Sequence, residues 1–333
     1  MSLPGKIARL AQPLVRRFYG GTGCILCLHR IVAEPSRLAD NRALELTPDA
    51  LRAALAWLRG RGLEPIALDE IPARLSRPSG RKFFAVTLDD GYRDNLTHAL
   101  PIFREFAVPF TVSLTTGYLH RTAWPWWYAL EEILHQRESL SFSWDGTRHD
   151  LPLRTDAQRE SAFAEVARLI RAQDNPSRDA LLALLHCDTA GQAPLLTWEE
   201  ARELAADPLV TIGCHTLTHP VLCRLDDVAA REELAASRAE LGSFFSRPVR
   251  HLAFPFGGAS AVGPREFALA AACGFTTAMT TRNANLFPAH AHHLTALPRL
   301  SLSGNYPVIP RLAALESGIV TAREYRGRRV IVA

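Results

Sequence analysis

The chain has 333 residues, of which 47% are hydrophobic and 22% are charged, and this composition is typical of a soluble enzyme with a sizeable core. The net charge of +4 is uneven, because basic residues concentrate in 1–18 and 323–329 around a slightly acidic body. This pattern excludes a uniformly basic nucleic-acid-binding protein. No apolar run suits a transmembrane helix or a signal peptide, so we expect a cytoplasmic protein.

The first periodic segment covers residues 3–18, where apolar residues recur at helical spacing between basic ones. It predicts a helix that packs on the body of the protein or lies on an anionic membrane surface. A strand follows at 24–28. It contains Cys24 and Cys27, which we interpret as buried side chains, since strand positions three apart point to opposite faces. The six cysteines show no disulfide spacing, which favours a reducing compartment.

Strands and helices then alternate as far as residue 114. Thr47 is a good N-cap and Pro48 suits the first position of a helix. The later elements are a strand at 63–67, a helix at 68–75, a strand at 82–88, a helix at 93–106 and a strand at 110–114. This alternation indicates parallel βα units.

Residues 119–195 depart from the alternation and predict an insertion that folds against the rest of the protein. It contains a helix to about 135, a hairpin over 139–153 and helices at 156–173 and 177–186. The insertion opens with four aromatic residues, Trp124, Trp126, Trp127 and Tyr128. They either stack on sugar rings or lipid, or anchor the insertion to the barrel, since aromatic side chains bury large areas.

The βα alternation resumes after the insertion. Thr197 and Glu200 form a capping box at the start of a helix. The remaining elements are a strand at 209–213, a helix at 226–245, a strand at 251–254, a helix at 264–273 and strands at 276–279 and 297–302. Three histidines at 290, 292 and 293 lie in a polar segment, which we interpret as a solvated loop rather than a second metal site.

Reactive residues follow several predicted strands, at the end where α/β barrels place their sites. His215 and His219 have a spacing that brings two imidazoles to one metal ion. Thr216 stands between them, so no glutamate base lies within this segment. Asp89 and Asp90 follow another strand, and one of them can bind the metal while the other faces the substrate.

Three segments resemble motifs of the polysaccharide deacetylase family, also described as the NodB-homology family or carbohydrate esterase family 4. They are 87–91 (Thr-Leu-Asp-Asp-Gly), 215–219 (His-Thr-Leu-Thr-His) and 254–257 (Phe-Pro-Phe-Gly). The resemblance covers roughly residues 22–118 and 196–303. It implies that Asp90, His215 and His219 hold a metal, usually zinc, and that Asp89 is the general base that takes a proton from the attacking water.

The third motif has a looser match to the family. The resemblance implies that the backbone N–H of Phe256, which follows Pro255, helps to bind the oxyanion of the tetrahedral intermediate. The common form of this motif has an arginine two residues before the proline, and here that position is Ala253. The leucine and histidine of the family's last motif are also absent, and residues 297–300 read Leu-Pro-Arg-Leu.

Both departures resemble a permuted subgroup of the family that includes the poly-N-acetylglucosamine deacetylases. In that subgroup an early strand ends in a Tyr-His or Leu-His pair, which here is Leu28-His29. The resemblance implies that His29 is the general acid for the leaving amine. It also implies that Arg299 pairs with Asp89 and keeps that carboxylate ionised.

These observations predict an α/β fold, a distorted (β/α) barrel over residues 22–303 with the insertion at about 119–195. A basic helix (1–21) precedes the barrel and a basic tail (304–333) follows it. The expected cofactor is a divalent metal, with Zn²⁺ favoured and Co²⁺, Ni²⁺ or Fe²⁺ open. The expected partner is an N-acylated sugar or glycan, with peripheral contact to the inner membrane face left open and no nucleic acid.

The expected function is metal-dependent N-deacetylation in surface polysaccharide or lipopolysaccharide synthesis. Two alternatives stay open. One is deformylation or deacylation of a lipid-linked amino sugar, which would use the same site with a different pocket. The other is a catalytically inactive glycan-binding protein, which the complete metal set and the base argue against.

Overall fold

The computed structural model describes residues 14–77, 80–187 and 194–332. Its strands are β1 (Gly23–Leu28), β2 (Arg30–Ile31), β3 (Glu45–Leu46), β4 (Glu64–Pro65), β5 (Phe83–Leu88), β6 (Phe110–Leu114), β7 (Ser139–Trp144), β8 (Thr147–Pro152), β9 (Val210–Cys214), β10 (His251–Ala253), β11 (Thr277–Met279) and β12 (Leu300–Ser301).

The α-helices are α1 (14–19), α2 (Ala39–Arg42), α3 (Pro48–Gly60), α4 (Ile71–Ser76), α5 (Leu100–Phe106), α6 (Thr116–His120), α7 (Trp126–Gln136), α8 (Asp156–Arg171), α9 (Asn175–Leu185), α10 (Trp198–Ala205), α11 (Asp227–Phe245), α12 (Pro264–Ala272), α13 (Val308–Glu316) and α14 (Ile319–Glu324). Short 3₁₀ helices occupy Leu68–Glu70, Leu222–Arg224, Pro288–His292 and Leu294–Ala296, and a π-helix occupies Asn95–Ala99.

A parallel sheet organises the fold, with the strand order β11-β10-β9-β6-β5-β1-β12 and β4 beside β5. Every residue of β1 and β5 is buried, as expected for strands covered on both faces. The segment 297–301 contacts both ends of this order, because Leu297 bridges to Met279 and Leu300 pairs with Leu26. The sheet therefore curls into the distorted barrel predicted from the sequence.

Local chemistry explains where the helices begin. The hydroxyl of Thr47 accepts a hydrogen bond from the Ala50 N–H, and Pro48 occupies the first turn of α3. Thr197 and Glu200 form the predicted capping box of α10. Asp226 caps α11 in the same way, by accepting from Ala229. These caps satisfy backbone N–H groups that have no partner inside their own helix.

The insertion has a hydrophobic core of its own, formed by the hairpin β7–β8 and helices α7 to α9. Trp126, Trp127 and Tyr128 are buried in this core, together with Tyr92 and Tyr118 from outside the insertion. The aromatic residues therefore anchor the insertion against the barrel. Trp127 also lines the cavity that contains Asp89 and Asp90.

The regular elements predicted from the sequence are present, apart from residues 1–13 of the N-terminal segment, which lie outside the described residues. Helices α13 and α14 occupy the segment expected to be a basic tail. The prediction of a solvated histidine loop is wrong for His290, which is fully buried and accepts a hydrogen bond from the Phe287 N–H. His292 and His293 are exposed.

Candidate active site

The predicted site residues meet around one cavity of about 340 Å³. His29 follows β1, Asp89 and Asp90 follow β5, His215 follows β9 and Phe256 lies beyond β10. Because these strands are parallel, their carboxyl ends lie at the same end of the barrel. His219 also lines the cavity.

A compact group, the metal group, consists of Asp90, His215 and His219. Their ligand atoms all lie within 4.8 Å of one another. The Nε2 atoms of both histidines lie 3.3 Å from Asp90 Oδ1. That oxygen is buried and makes no bond of hydrogen-bond geometry with any described residue. A buried charged oxygen without a donor requires a compensating partner, and a divalent cation supplies one.

The orientation of His215 fits a metal ligand. Its Nδ1 lies 2.7 Å from the carbonyl oxygen of Ala253, so Nδ1 carries the proton and Nε2 offers its lone pair toward Asp90. Burial lowers the pKa of His215, but the charges of Asp89 and Asp90 outweigh that effect and raise it. The group therefore favours an added positive charge. Two imidazoles and one carboxylate suit zinc.

The backbone at this site adopts conformations that side chains seldom allow. Asp90, Thr216, His219 and Phe256 have φ angles of 78°, 67°, 59° and 60°. Non-glycine residues in this region are uncommon and cluster at functional sites. Gly91 has a φ of 85°, and a Cβ there would come within 2.7 Å of the Leu114 side chain, which accounts for glycine after the two aspartates.

Glu233 on α11 holds the loop that carries the two histidines. Its carboxylate accepts hydrogen bonds from the N–H groups of Leu217 and Thr218 at 2.9 and 2.8 Å. It also accepts from the Thr218 hydroxyl and from the Asn175 amide. Glu233 is buried, so its charge depends on these donors. Glu233 was not predicted from the sequence because it lies within an ordinary helical pattern.

Asp89 is bound by the fully buried Arg299 through two parallel contacts, Nη1 to Oδ1 at 2.8 Å and Nη2 to Oδ2 at 2.7 Å. Arg299 also donates to the Thr87 hydroxyl and the Thr280 carbonyl. Burial would raise the pKa of Asp89, but the Arg299 charge and hydrogen bonds hold it below its usual value. Asp89 is therefore an ionised carboxylate beside the metal group.

His29 lies on the other side of Asp89, and ligand atoms of Cys27, His29 and Asp89 lie within 4.8 Å of one another. Burial lowers the pKa of His29. Burial also raises the pKa of Cys27 to about 12, so its thiol stays protonated and is a poor metal ligand. Asn95, in the π-helix, donates to the His29 carbonyl at 2.8 Å. A π-helical turn is frequent at functional sites.

Phe256, which follows Pro255, lines the cavity next to the metal group. The Phe256 ring centroid lies 4.9 Å from that of His219, and the Thr281 hydroxyl donates to the Phe256 carbonyl at 2.6 Å. The N–H of Phe256 donates no hydrogen bond to any described residue. It therefore remains available to a bound ligand, and the oxyanion contact stays a prediction.

The fold and this group define a class of protein, an α/β barrel with an Asp-His-His group that could hold a metal ion beside an arginine-bound aspartate. The family described as "Polysaccharide deacetylase" matches residues 76–278. The chain belongs to the polysaccharide deacetylase family, and the family predicted from the sequence is confirmed.

Similar proteins include members of the predicted subgroup. The poly-beta-1,6-N-acetyl-D-glucosamine N-deacetylase of Escherichia coli (strain K12) is 36% identical over 73 residues, which are 21% of this chain and 11% of that protein. The structure of IcaB from Ammonifex degensii has a TM-score of 0.57 and 19% identity, covering 90% of this chain and 98% of that one. The Streptococcus pyogenes deacetylase PplD has a TM-score of 0.57 and 17% identity, covering 85% and 94%.

Proposed function

We propose that this protein is a metal-dependent N-deacetylase of an amino sugar or glycan. One observation carries the proposal. The Asp90, His215 and His219 ligand atoms lie within 4.8 Å of one another, and the Asp89 carboxylate, bound by Arg299, lines the same cavity. A binding module has no need of a carboxylate held ionised beside a metal group, whereas amide hydrolysis requires one.

The metal would be held by Asp90, His215 and His219, with zinc the best match and cobalt, nickel or iron chemically feasible. When bound, it would supply Lewis-acid polarisation of the amide carbonyl and of the attacking water. The chain's own residues would then perform the proton transfers. Poly-N-acetylglucosamine deacetylation by a curated relative supports an N-acetylated amino sugar as the substrate class.

Asp89 would act as the general base, because Arg299 keeps it ionised while burial keeps it out of bulk water. It would accept a proton from the water that attacks the amide carbon. His29 would donate a proton to the departing amine nitrogen, and its lowered pKa makes it a stronger acid once protonated. The Phe256 N–H would donate to the developing oxyanion, with Pro255 fixing the preceding backbone.

The first experiment measures acetate release from N-acetylglucosamine oligomers with added zinc or cobalt. The Asp89→Asn variant should lose activity by roughly 100-fold or more, because its amide cannot accept the proton, while its metal content stays at the wild-type level. Asp49→Asn, at an exposed position, is the matched control and should retain full activity. Equal rates for Asp89→Asn and wild type would remove Asp89 from the mechanism.

The same proposal covers the acyl group that is removed and the biosynthetic pathway in which the enzyme acts. We place the activity in the synthesis of a surface polysaccharide or lipopolysaccharide. Release of formate in preference to acetate would instead support the deformylase alternative. Glycan binding that survives chelation, without turnover of any acylated sugar, would support the inactive glycan-binding protein.

A further inference from the structure

Two arginine side chains at the rim of the cavity form no salt bridge with any described carboxylate, and the charge of Asp40 acts on one of them, Arg171. Arg171 ends α8 and Arg311 lies on α13, and both line the cavity. The acids around them are few. Asp89 is bound by Arg299 and Asp90 belongs to the metal group. Asp40 is the remaining acid of the lining, so the rim carries an excess of positive charge.

Arg171 is held close to the reacting centre by two aromatic rings. Its guanidinium carbon lies 5.5 Å from the Phe256 ring centroid and 5.8 Å from that of Trp126. Stacking of this kind uses the face of the guanidinium, while its N–H donors point outward in the plane. The Phe256 ring in turn contacts His219. An anion bound by Arg171 would therefore lie next to the metal group.

Arg311 lines the same cavity as Arg171. Its guanidinium carbon lies 5.2 Å from the Tyr306 ring centroid. Its Nε is buried and has no acceptor among the described residues. A positive group that is partly removed from water without an acceptor is unfavourable. A bound anion would compensate both arginine charges.

We propose that Arg171 and Arg311 form a phosphate subsite, and that the substrate is an N-acylated amino sugar carrying a phosphate. The inference rests on the proposed function, because it names the substrate class of the same cavity. Arginine binds phosphate oxygens through paired N–H donors. A neutral glycan would leave Arg311 without an anionic partner and Arg171 with Asp40 alone, whereas a sugar phosphate supplies both with acceptor oxygens.

The direct test measures binding of glucose 1-phosphate to the metal-free protein by calorimetry. This probe has the phosphate but no acyl group, so its binding is independent of deacetylation. Arg171→Gln and Arg311→Gln should each weaken binding roughly 10-fold or more. Arg168→Gln, one turn earlier on the exposed side of α8, should bind as wild type does. Equal binding by all variants, or equal binding of methyl glucoside, would overturn the subsite.

A second measurement compares deacetylation of N-acetylglucosamine 1-phosphate, its short prenyl ester and the neutral methyl glycoside. Both phosphates should exceed the neutral glycoside in kcat/KM, and Arg171→Gln should remove that advantage. Faster reaction of the prenyl ester assigns the phosphate to a lipid carrier, and equal rates assign it to a soluble sugar phosphate. If no substrate is deacetylated but glucose 1-phosphate binding depends on the arginines, the catalytic proposal fails and the subsite stands.

Discussion

Arg299 and Asp89 form the most demanding electrostatic pair of the protein, because both side chains are almost completely removed from water. Removal of one partner leaves the other as an unpaired buried charge. Arg299→Met should lower the free energy of unfolding by roughly 3–5 kcal/mol. The double variant Asp89→Asn with Arg299→Met should lose less than the sum of the single changes. Urea unfolding of the metal-free protein measures both quantities.

The exposed pair Arg148–Asp150 provides the control for this experiment. Its side chains are 72% and 56% exposed, and exposed ion pairs contribute little to stability. Arg148→Met should therefore leave the free energy of unfolding almost unchanged. Strictly additive losses for the Asp89 and Arg299 changes would show that the two groups do not depend on one another.

His290 should make stability depend on pH. Burial lowers its pKa from 6.5 to about 4, so the unfolded chain binds a proton at a higher pH than the folded protein. The contribution of His290 to stability is therefore fully present above pH 6.5. It is lost as the pH falls toward 4, and the free energy of unfolding then decreases by roughly 3 kcal/mol. His290→Gln should flatten this part of the stability profile. His292→Gln, at an exposed position, should leave the stability profile unchanged. A His290→Gln profile that runs parallel to that of the wild type would show that His290 does not cause the pH dependence.

At this scale the sequence predicted six residues that line the cavity, because each is next to a recognisable strand end or motif; they are His29, Asp89, Asp90, His215, His219 and Phe256. It did not predict the burial of His290 or the rim positions of Arg171 and Arg311. Those depend on contacts between segments far apart in the chain. Arg171, for example, meets Phe256 across the cavity, and no local pattern encodes that contact.

At the scale of elements, the loop 215–219 depends on helix α11 through Glu233. Glutamine is nearly the same size, but its amide nitrogen would face donors that need acceptors. Glu233→Gln should weaken zinc binding about 10- to 100-fold, as loss of groups that orient metal ligands commonly does. Competition with a chromophoric chelator measures this affinity.

Glu232 provides the matched control, because it is adjacent in sequence and exposed. Glu232→Gln should bind zinc as the wild type does. Wild-type zinc affinity in Glu233→Gln would show that the two histidines hold their geometry without the carboxylate. In that case the backbone hydrogen bonds of Leu217 and Thr218 would be structural only.

Strands and helix starts were predictable because burial and capping leave local signals, such as the fully apolar β1 and the Thr47–Pro48 pair. The π-helix Asn95–Ala99 and the two-residue strands β2 and β3 were not predictable. They are fixed by tertiary contacts, for example the Asn95 donation to the His29 carbonyl. Pairing of β2 with β3 likewise depends on the position at which β1 ends, because β2 follows it directly in the chain.

At the scale of the whole molecule, the described N-terminal helix α1 lies close to the C-terminal part of the chain. Arg16 of α1 pairs with Glu316 at 2.7 Å, and the Tyr19 hydroxyl donates to the Gly327 carbonyl at 3.0 Å. Leu14 and Phe18, one helical turn apart, are 66% and 50% exposed. No helix among the described residues is long and apolar enough to cross a membrane. We propose that this surface contacts anionic membranes.

The protein should therefore sediment with vesicles that contain phosphatidylglycerol and be released by about 0.5 M salt, since salt screens the attraction. Phe18→Asp should weaken this binding roughly 10-fold by placing a charge where an apolar ring would insert. Leu184→Asp alters an exposed apolar residue on α9 and should have no effect. Equal sedimentation with neutral and anionic vesicles would contradict the proposal.

The closure of the barrel by segment 297–301 determines when the site is assembled during synthesis. Asp89 is already present once β5 has been made, but Arg299 and its neighbour β12 are added long afterwards. Pairing of Leu26 with Leu300 joins distant parts of the chain, and such contacts form slowly because of the entropy of loop closure. A nascent chain that has not reached Arg299 therefore carries Asp89 without its charge partner. Asp89 therefore gains its charge partner only after Arg299 has been made and β12 has paired with β1.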